Sequence, residues 1–250
     1  MSEPDFLRNR RAWDAASDDY QRLHRAQLRE NAEAWGVWSL PESELQLLGE
    51  VAGRDVLELG CGGAEWSISL AKRGARCTGL DNSERQLSHA RVAIDEAGVD
   101  VRLVHASAEG APFDDASFDL VFCDHGAFSF TAPEVTIPIA ARLLRPGGVL
   151  AFSVAHPLYE VCWDYGENRL SLELQRPYFE IGAVDDPADD FVSHLRPVST
   201  YVALLLESGF VIEKMLEPRP SENASSSYEF APLTWSRAFP AELMFRVHRG

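Results

Sequence analysis

Asp55-Val56-Leu57-Glu58-Leu59-Gly60-Cys61-Gly62-Gly63-Ala64 is an apolar run that ends in clustered glycines. The stretch after it, with Ile68, Leu70 and Ala71, is amphipathic, which sets the order strand, tight turn, helix. Gly60 and Gly62 lack Cβ atoms, so the turn can take positive φ and let a ligand lie against the main chain. The helix that follows points its free N–H groups at that ligand. Asp81 closes a second apolar run, Arg76-Cys77-Thr78-Gly79-Leu80. A carboxylate there accepts both hydroxyls of a ribose. Ser83-Glu84-Arg85-Gln86 then has the form of a capping box, with Ser83 as N-cap and Gln86 three residues on, and starts a second helix. The combination reads as a nucleoside-binding α/β unit.

Nicotinamide-binding folds use the same device, and Glu58 separates the two possibilities. A dinucleotide lays its pyrophosphate over the turn, and an acid two positions before the first glycine repels it. A ligand with a free amino group welcomes that acid. Glu65 stands where a third glycine of the dinucleotide pattern belongs, which disfavours a dinucleotide further. A cationic amino-acid nucleoside fits better.

With these residues the chain resembles the class I S-adenosylmethionine-dependent methyltransferases, in particular those acting on small molecules, over roughly residues 50–215. An acid followed by GxGxG matches Glu58, Gly60 and Gly62, with Cys61 between the glycines and Ala64 where the last glycine often lies. Asp81, with Asn82 beside it, falls on the ribose-binding acid. The segment from Ser107, Ala108 and Glu109 to Phe113 looks like the adenine-side loop, although Ser107 stands where an Asp is common. Phe118–Asp124, ending in Cys123 and Asp124, resembles the fourth strand, and Arg142–Leu150 the helix, turn and fifth strand. The resemblance implies S-adenosylmethionine as cofactor, S-adenosylhomocysteine as product, and methyl transfer to oxygen or nitrogen, less readily to carbon. Two other readings are kept: an adenosylmethionine-binding regulatory or interaction protein without transfer chemistry, and a nicotinamide-dependent reductase.

Acids outnumber bases 39 to 23, for a formal charge of −16, with no basic run. Nucleic-acid substrates demand the opposite balance, so a small-molecule acceptor is expected. The fourth strand also lacks the Asn/Asp-Pro-Pro-aromatic sequence of amino-directed methyltransferases; Cys123-Asp124-His125-Gly126 stands there. No run approaches the ~18 apolar residues of a membrane span, and the first residues are not a signal peptide, so a cytoplasmic location is expected. Cys61, Cys77, Cys123 and Cys162 have neither metal nor disulfide spacing and read as small apolar residues, so no metal is expected.

The alternation of strands and helices predicts one α/β domain over 1–250: a doubly wound, mostly parallel sheet with helices on both faces. The resemblance makes this a seven-stranded, Rossmann-like methyltransferase fold with the last strand antiparallel. Within it we read an N-terminal helical lid over 1–48, a cofactor-binding core over 49–155, a substrate-capping insertion over 156–196 and the end of the sheet over 197–250. In the first segment Trp13 and Tyr20 are candidates to touch the cofactor, or to pack against the sheet edge. In the insertion the aromatics, among them Tyr159, Trp163 and Tyr178, are assigned to the substrate pocket, with a satellite hydrophobic cluster as the plainer role. The run Asp185–Asp190 reads as a solvated loop. His194 is placed at the pocket entrance. Arg196 either selects a carboxylate-bearing substrate or is a surface arginine before a helix. Pro218, Pro220 and Ser225–Ser227 mark a loop, and the runs over Phe210–Met215 and Leu243–Val247 read as paired strands.

The switch-point rule collects Glu58, Asp81, Asp124 and His156 at one crevice, outside the carboxyl ends of the strands. Methyl transfer from a sulfonium is an in-line displacement, so alignment and a dry site dominate and a base is optional. His125, after the fourth strand, and His156, after the fifth, are the candidate bases, with His156 preferred. The alternatives are that His125 serves a turn and that His156 simply ends a strand.

Overall fold

The computed structural model describes residues 3–185 and 190–250. Its centre is a seven-stranded sheet made of β1 (Asp55–Leu59), β2 (Arg76–Asp81), β3 (Val101–His105), β4 (Phe118–Asp124), β5 (Leu144–Ala155), β6 (Phe210–Leu216) and β7 (Glu242–Arg249). Their order across the sheet is β3-β2-β1-β4-β5-β7-β6. β1 pairs in parallel with β2 and β4, and β7 runs antiparallel between β5 and β6. The expected architecture is therefore present, and the reversed strand is the last in the chain.

Strand periodicity divides the core. Leu57, Val121, Phe152 and Phe245 project to one face, where they meet Ile137 and Ala140 of α5 (Pro133–Leu143) and Tyr201 and Leu205 of α7 (Val198–Glu207). Val56, Phe122, Ala151 and Met244, one position out of phase, project to the other face. There they meet Leu70 of α2 (Glu65–Lys72) and Ala90 and Ala93 of α3 (Glu84–Ala97). Because both faces are covered, the parallel strands carry apolar residues on each side.

Two local devices aim the helices at the sheet's carboxyl edge. α2 starts from Ala64, held in the left-handed region at φ 62°. α3 starts at Ser83, whose hydroxyl accepts from Gln86 N at 3.1 Å, which is half of the expected capping box. The other half is replaced. Ser83 N donates to Asp81 Oδ1 at 2.8 Å, and the Gln86 side chain instead accepts from Gln21 Nε2 at 2.8 Å.

Gln21 belongs to α1 (Asp5–Glu30), a 26-residue helix in the segment read as helical. Its inward side is polar: Asn9, Ser17 and Gln21 are buried, whereas Leu23 is exposed. Asn9 accepts from Val192 N and donates to the carbonyls of Val192 and Phe130. Near its other half, Ser17 and Gln21 meet Ser83 and Gln86. The helix thus crosses the carboxyl ends of β2 and β4. The insertion forms α6 (Pro157–Cys162) and two short hairpins, Trp163–Asp164 with Arg169–Leu170 and Ala183–Asp185 with Val192–His194. Of the acidic run, 186–189 lie outside the described residues, while Asp185 and Asp190 both pair with Arg8.

Candidate active site

A cavity of about 320 Å³ opens where the carboxyl ends of β1, β2 and β4 meet α1. Its floor is the glycine turn. Gly60 takes φ 76° and Gly62 φ 50°, and a Cβ on Gly60 would sit 2.3 Å from Ala127 N, so only glycine lets the turn pass under the helix after β4. Asp81 fixes the turn from the side by accepting from Gly62 N at 2.8 Å, while its other oxygen holds Ser83 N. Each carboxylate oxygen keeps a further lone pair, which is what a diol needs. Asn82, Ser107 and Ala108 continue the wall at this end.

Glu58 is buried and receives Ser67 N at 3.1 Å and Ser67 Oγ at 2.5 Å, both on Oε2. Burial pushes its carboxyl up to about 8, against the pull of these two bonds. Burial also raises Asp81, Asp124 and Glu65, all of which line the cavity. No Lys or Arg stands among the described residues of the lining. Arg25 stands 3.9 Å from Glu65, but Glu58 and Asp81 have no Lys or Arg partner among the described residues, and buried acids so placed are held only at a cost in desolvation. A ligand carrying a sulfonium and an ammonium supplies the missing charge, so the donor set fits adenosylmethionine.

Beyond the turn the walls become aromatic. Trp13 and Tyr20 come from α1, Phe130 from α4 (Gly126–Phe130), and Tyr228 and Phe230 from the segment after β6. Tyr20 and Tyr228 join hydroxyl to hydroxyl at 2.7 Å, and burial lifts the Tyr20 phenol to about 12. At this end stand Asp124 and His125. Asp124 accepts from Ser153 Oγ at 2.5 Å and from Gly36 N at 3.0 Å. His125 sits at φ 56°, ψ −52°, a strained backbone for a non-glycine residue, with its N–H on Ser153 Oγ at 2.9 Å.

Residues 57–152 match the sequence model of a methyltransferase domain. A solved S-adenosylmethionine-dependent methyltransferase from Mesorhizobium loti superposes with a TM-score of 0.69 at 27% identity, over 83% of this chain and 96% of that one. Residues 57–152 thus carry a methyltransferase domain, and the chain shares the fold of S-adenosylmethionine-dependent methyltransferases. Two curated members are similar in sequence, both named ubiquinone biosynthesis O-methyltransferase. The one from Aromatoleum aromaticum is 42% identical over 41% of this chain and 44% of its own length. The one from Azoarcus sp. is 36% identical over 46% and 56%. The chain thus spans about half the length of the curated relatives it matches.

The methyltransferase-domain match sets aside the nicotinamide reading. Of the cofactor residues expected from this methyltransferase sequence, Trp13, Tyr20, Glu58 and the Gly60-Cys61-Gly62 turn line the cavity. So do Asp81, Asn82, Ser107, Ala108 and Asp124, but Glu109 and Cys123 do not. Cys123 points into the core beneath the strand end and is fully buried, because strand alternation turns it away from Asp124. Of the two histidines, His125 lines the cavity and His156 does not. His156 caps α6 by accepting from Leu158 N at 3.0 Å and meets Glu217 at 2.9 Å, and burial lowers its pKa despite that carboxylate. The crevice therefore gathers Glu58, Asp81 and Asp124 with His125.

The five expected substrate contacts lie elsewhere. Tyr178 accepts from Val198 N, and Arg196 is taken by both oxygens of Glu134 at 2.6 and 3.0 Å, which leaves no fork for a substrate carboxylate. His194 is buried in a hairpin 3.1 Å from Asp5 Oδ2. Tyr159 stacks on Trp163 and meets Phe230 of the cavity wall, with ring centroids 6.1 Å apart, from outside the lining. Tyr159 packs with two satellite clusters, whereas Tyr178 packs against the main core. The lining residues that sequence reasoning missed, Gly36, Phe130, Tyr228 and Phe230, carry no motif. For Tyr228 and Phe230 the signal was aromatic residues in a segment rich in Pro and Ser.

Proposed function

We propose that the protein transfers the methyl group of S-adenosylmethionine to a hydroxyl of a small, uncharged or cationic acceptor. The observation that carries this is a cavity with carboxylates and no Lys or Arg in its described lining at the glycine turn, and a histidine at its aromatic end. In this reading Asp81 holds the ribose, Ser107 and Ala108 flank the adenine, and Glu58 faces the amino-acid end. The bound cofactor supplies a methyl group already activated by positive sulfur. The chain's own residues then orient the acceptor between Trp13, Phe130, Tyr228 and Phe230, exclude water beneath α1 as a lid, and receive the hydroxyl proton on His125. A hydroxyl needs such a base, and a histidine suits the task near neutral pH.

The lack of Lys and Arg in the lining disfavours an acceptor with carboxylate or phosphate groups, and the charge of −16 disfavours nucleic acid. Oxygen is favoured over nitrogen by the relatives' names and by the histidine. Calorimetric titration with S-adenosylmethionine and S-adenosylhomocysteine, followed by turnover on a panel of phenols, alcohols and amines, tests the reading. Binding with release of adenosylhomocysteine on a neutral phenol or alcohol is expected. Binding without turnover on any acceptor would favour the regulatory alternative.

A further inference from the structure

His125 faces the cavity, but the ring is held from behind. Its Nε2 lies 2.7 Å from Glu242 Oε1, and Glu242 is 2% exposed. Glu242 is the first residue of β7, 117 positions away, and pairs in register with Ala155 at the end of β5. The same Oε1 accepts from Val37 N at 2.9 Å. A Cβ on Gly36, which has φ 70°, would meet that oxygen at 2.0 Å, so the carboxylate is seated against bare backbone. Nδ1 has no hydrogen-bond partner among the described residues.

We propose that Glu242 is the positioning residue for the acceptor-side base: its seated carboxylate takes the Nε2–H of His125 and leaves Nδ1 as the proton acceptor in the cavity. This rests on the methyl-transfer reading of the site. A carboxylate only accepts, so the contact selects the tautomer with the proton on Nε2. When the acceptor oxygen's lone pair bonds to the methyl carbon, the carbon–sulfur bond breaks with its electron pair left on sulfur. The hydroxyl proton passes to Nδ1, and the imidazolium so formed is stabilised by the Glu242 charge. Asp124, on the other side, is the second carboxylate acting on the ring. Burial alone lowers the pKa of His125, but the bond and charge of Glu242, with Asp124, outweigh it and hold the imidazole above its ordinary value. Activity should therefore climb as pH rises past that raised value, where Nδ1 loses its proton.

Glu242→Gln tests the assignment. It should lower kcat by on the order of tenfold or more while S-adenosylmethionine affinity stays as in the parent, and should move the alkaline-going limb of the kcat profile to lower pH. His125→Ala combined with Glu242→Gln should be no slower than His125→Ala alone. Nitrogen-detected NMR of labelled histidine reads the ring without turnover: the parent should show His125 protonated on Nε2, and Glu242→Gln should lose that tautomer preference and titrate lower. An unchanged kcat and pH profile, additive losses in the double variant, or an unchanged tautomer and titration would overturn the role of Glu242. A parent that never turns over would instead sink the methyl-transfer reading, and the NMR result would still decide the positioning.

Discussion

At the residue scale the cradle was legible because its chemistry is local. Glycines at fixed spacing, an acid before them and an acid at the next strand end all lie within one strand–helix–strand unit, so spacing alone brings them together. Asp81 illustrates the consequence. Its oxygens accept from Gly62 N and Ser83 N and keep lone pairs for a diol. Asp81→Asn keeps the shape but loses the charge and one acceptor, so calorimetry should show S-adenosylmethionine binding weaker by roughly 1.5–3 kcal/mol. The histidine proposed as base was not legible in this way. Both histidines follow strand ends, and nothing local tells that His156 turns back to cap α6 while His125 faces the cavity. Gly36 carries a related prediction. Gly36→Ala drives a methyl group into Glu242, displaces the partner of His125, and should cut kcat while titration still shows cofactor affinity near that of the parent.

At the element scale, α1 shows what an amphipathic pattern leaves out. Trp13 and Tyr20, read as touching the cofactor or packing against the sheet edge, line the cavity, and beside them Asn9, Ser17 and Gln21 are buried in hydrogen bonds. Asn9 is the clearest of these, since one amide side chain satisfies the N–H and carbonyl of Val192 and the carbonyl of Phe130. Asn9→Ala leaves those groups buried without partners and should destabilise the seat of α1 by about 1–3 kcal/mol. Hydrogen exchange checks this: amides over Asp5–Glu30 should exchange faster while those of β1 keep their protection. The aromatics of the insertion, read as a substrate pocket or a satellite cluster, stand outside the cavity lining: Tyr159 stacks on Trp163 and meets Phe230, while Tyr178 packs against the main core.

At the scale of the whole molecule, the buried acids make folding and binding depend on pH together. Glu58, carried up to about 8, is held neutral when folded and ionises in the ordinary range when unfolded. Its folded value is raised, so its contribution is fully present below the unfolded pKa and is lost as pH rises towards about 8. Asp81, Asp124 and Glu65 act in the same direction. The melting temperature without ligand should fall as pH rises from about 5 to 8. The stabilisation conferred by S-adenosylmethionine should grow over the same window, because the cationic ligand offsets ionised acids. Scanning calorimetry across that range measures both trends, and Glu58→Gln should flatten them. What the sequence by itself determined is the donor half of the molecule: alternating strands and helices, the glycine turn, and the acids that flank it, all set by short-range periodicity and spacing. What only the tertiary structure decided is the half proposed to take the acceptor. There β7 enters between β5 and β6 and brings Glu242 to His125, while Trp13, Phe130 and Tyr228 converge from segments far apart in the chain. Such contacts arise from strand order and from the packing of α1 across the sheet edge, and no local pattern encodes them.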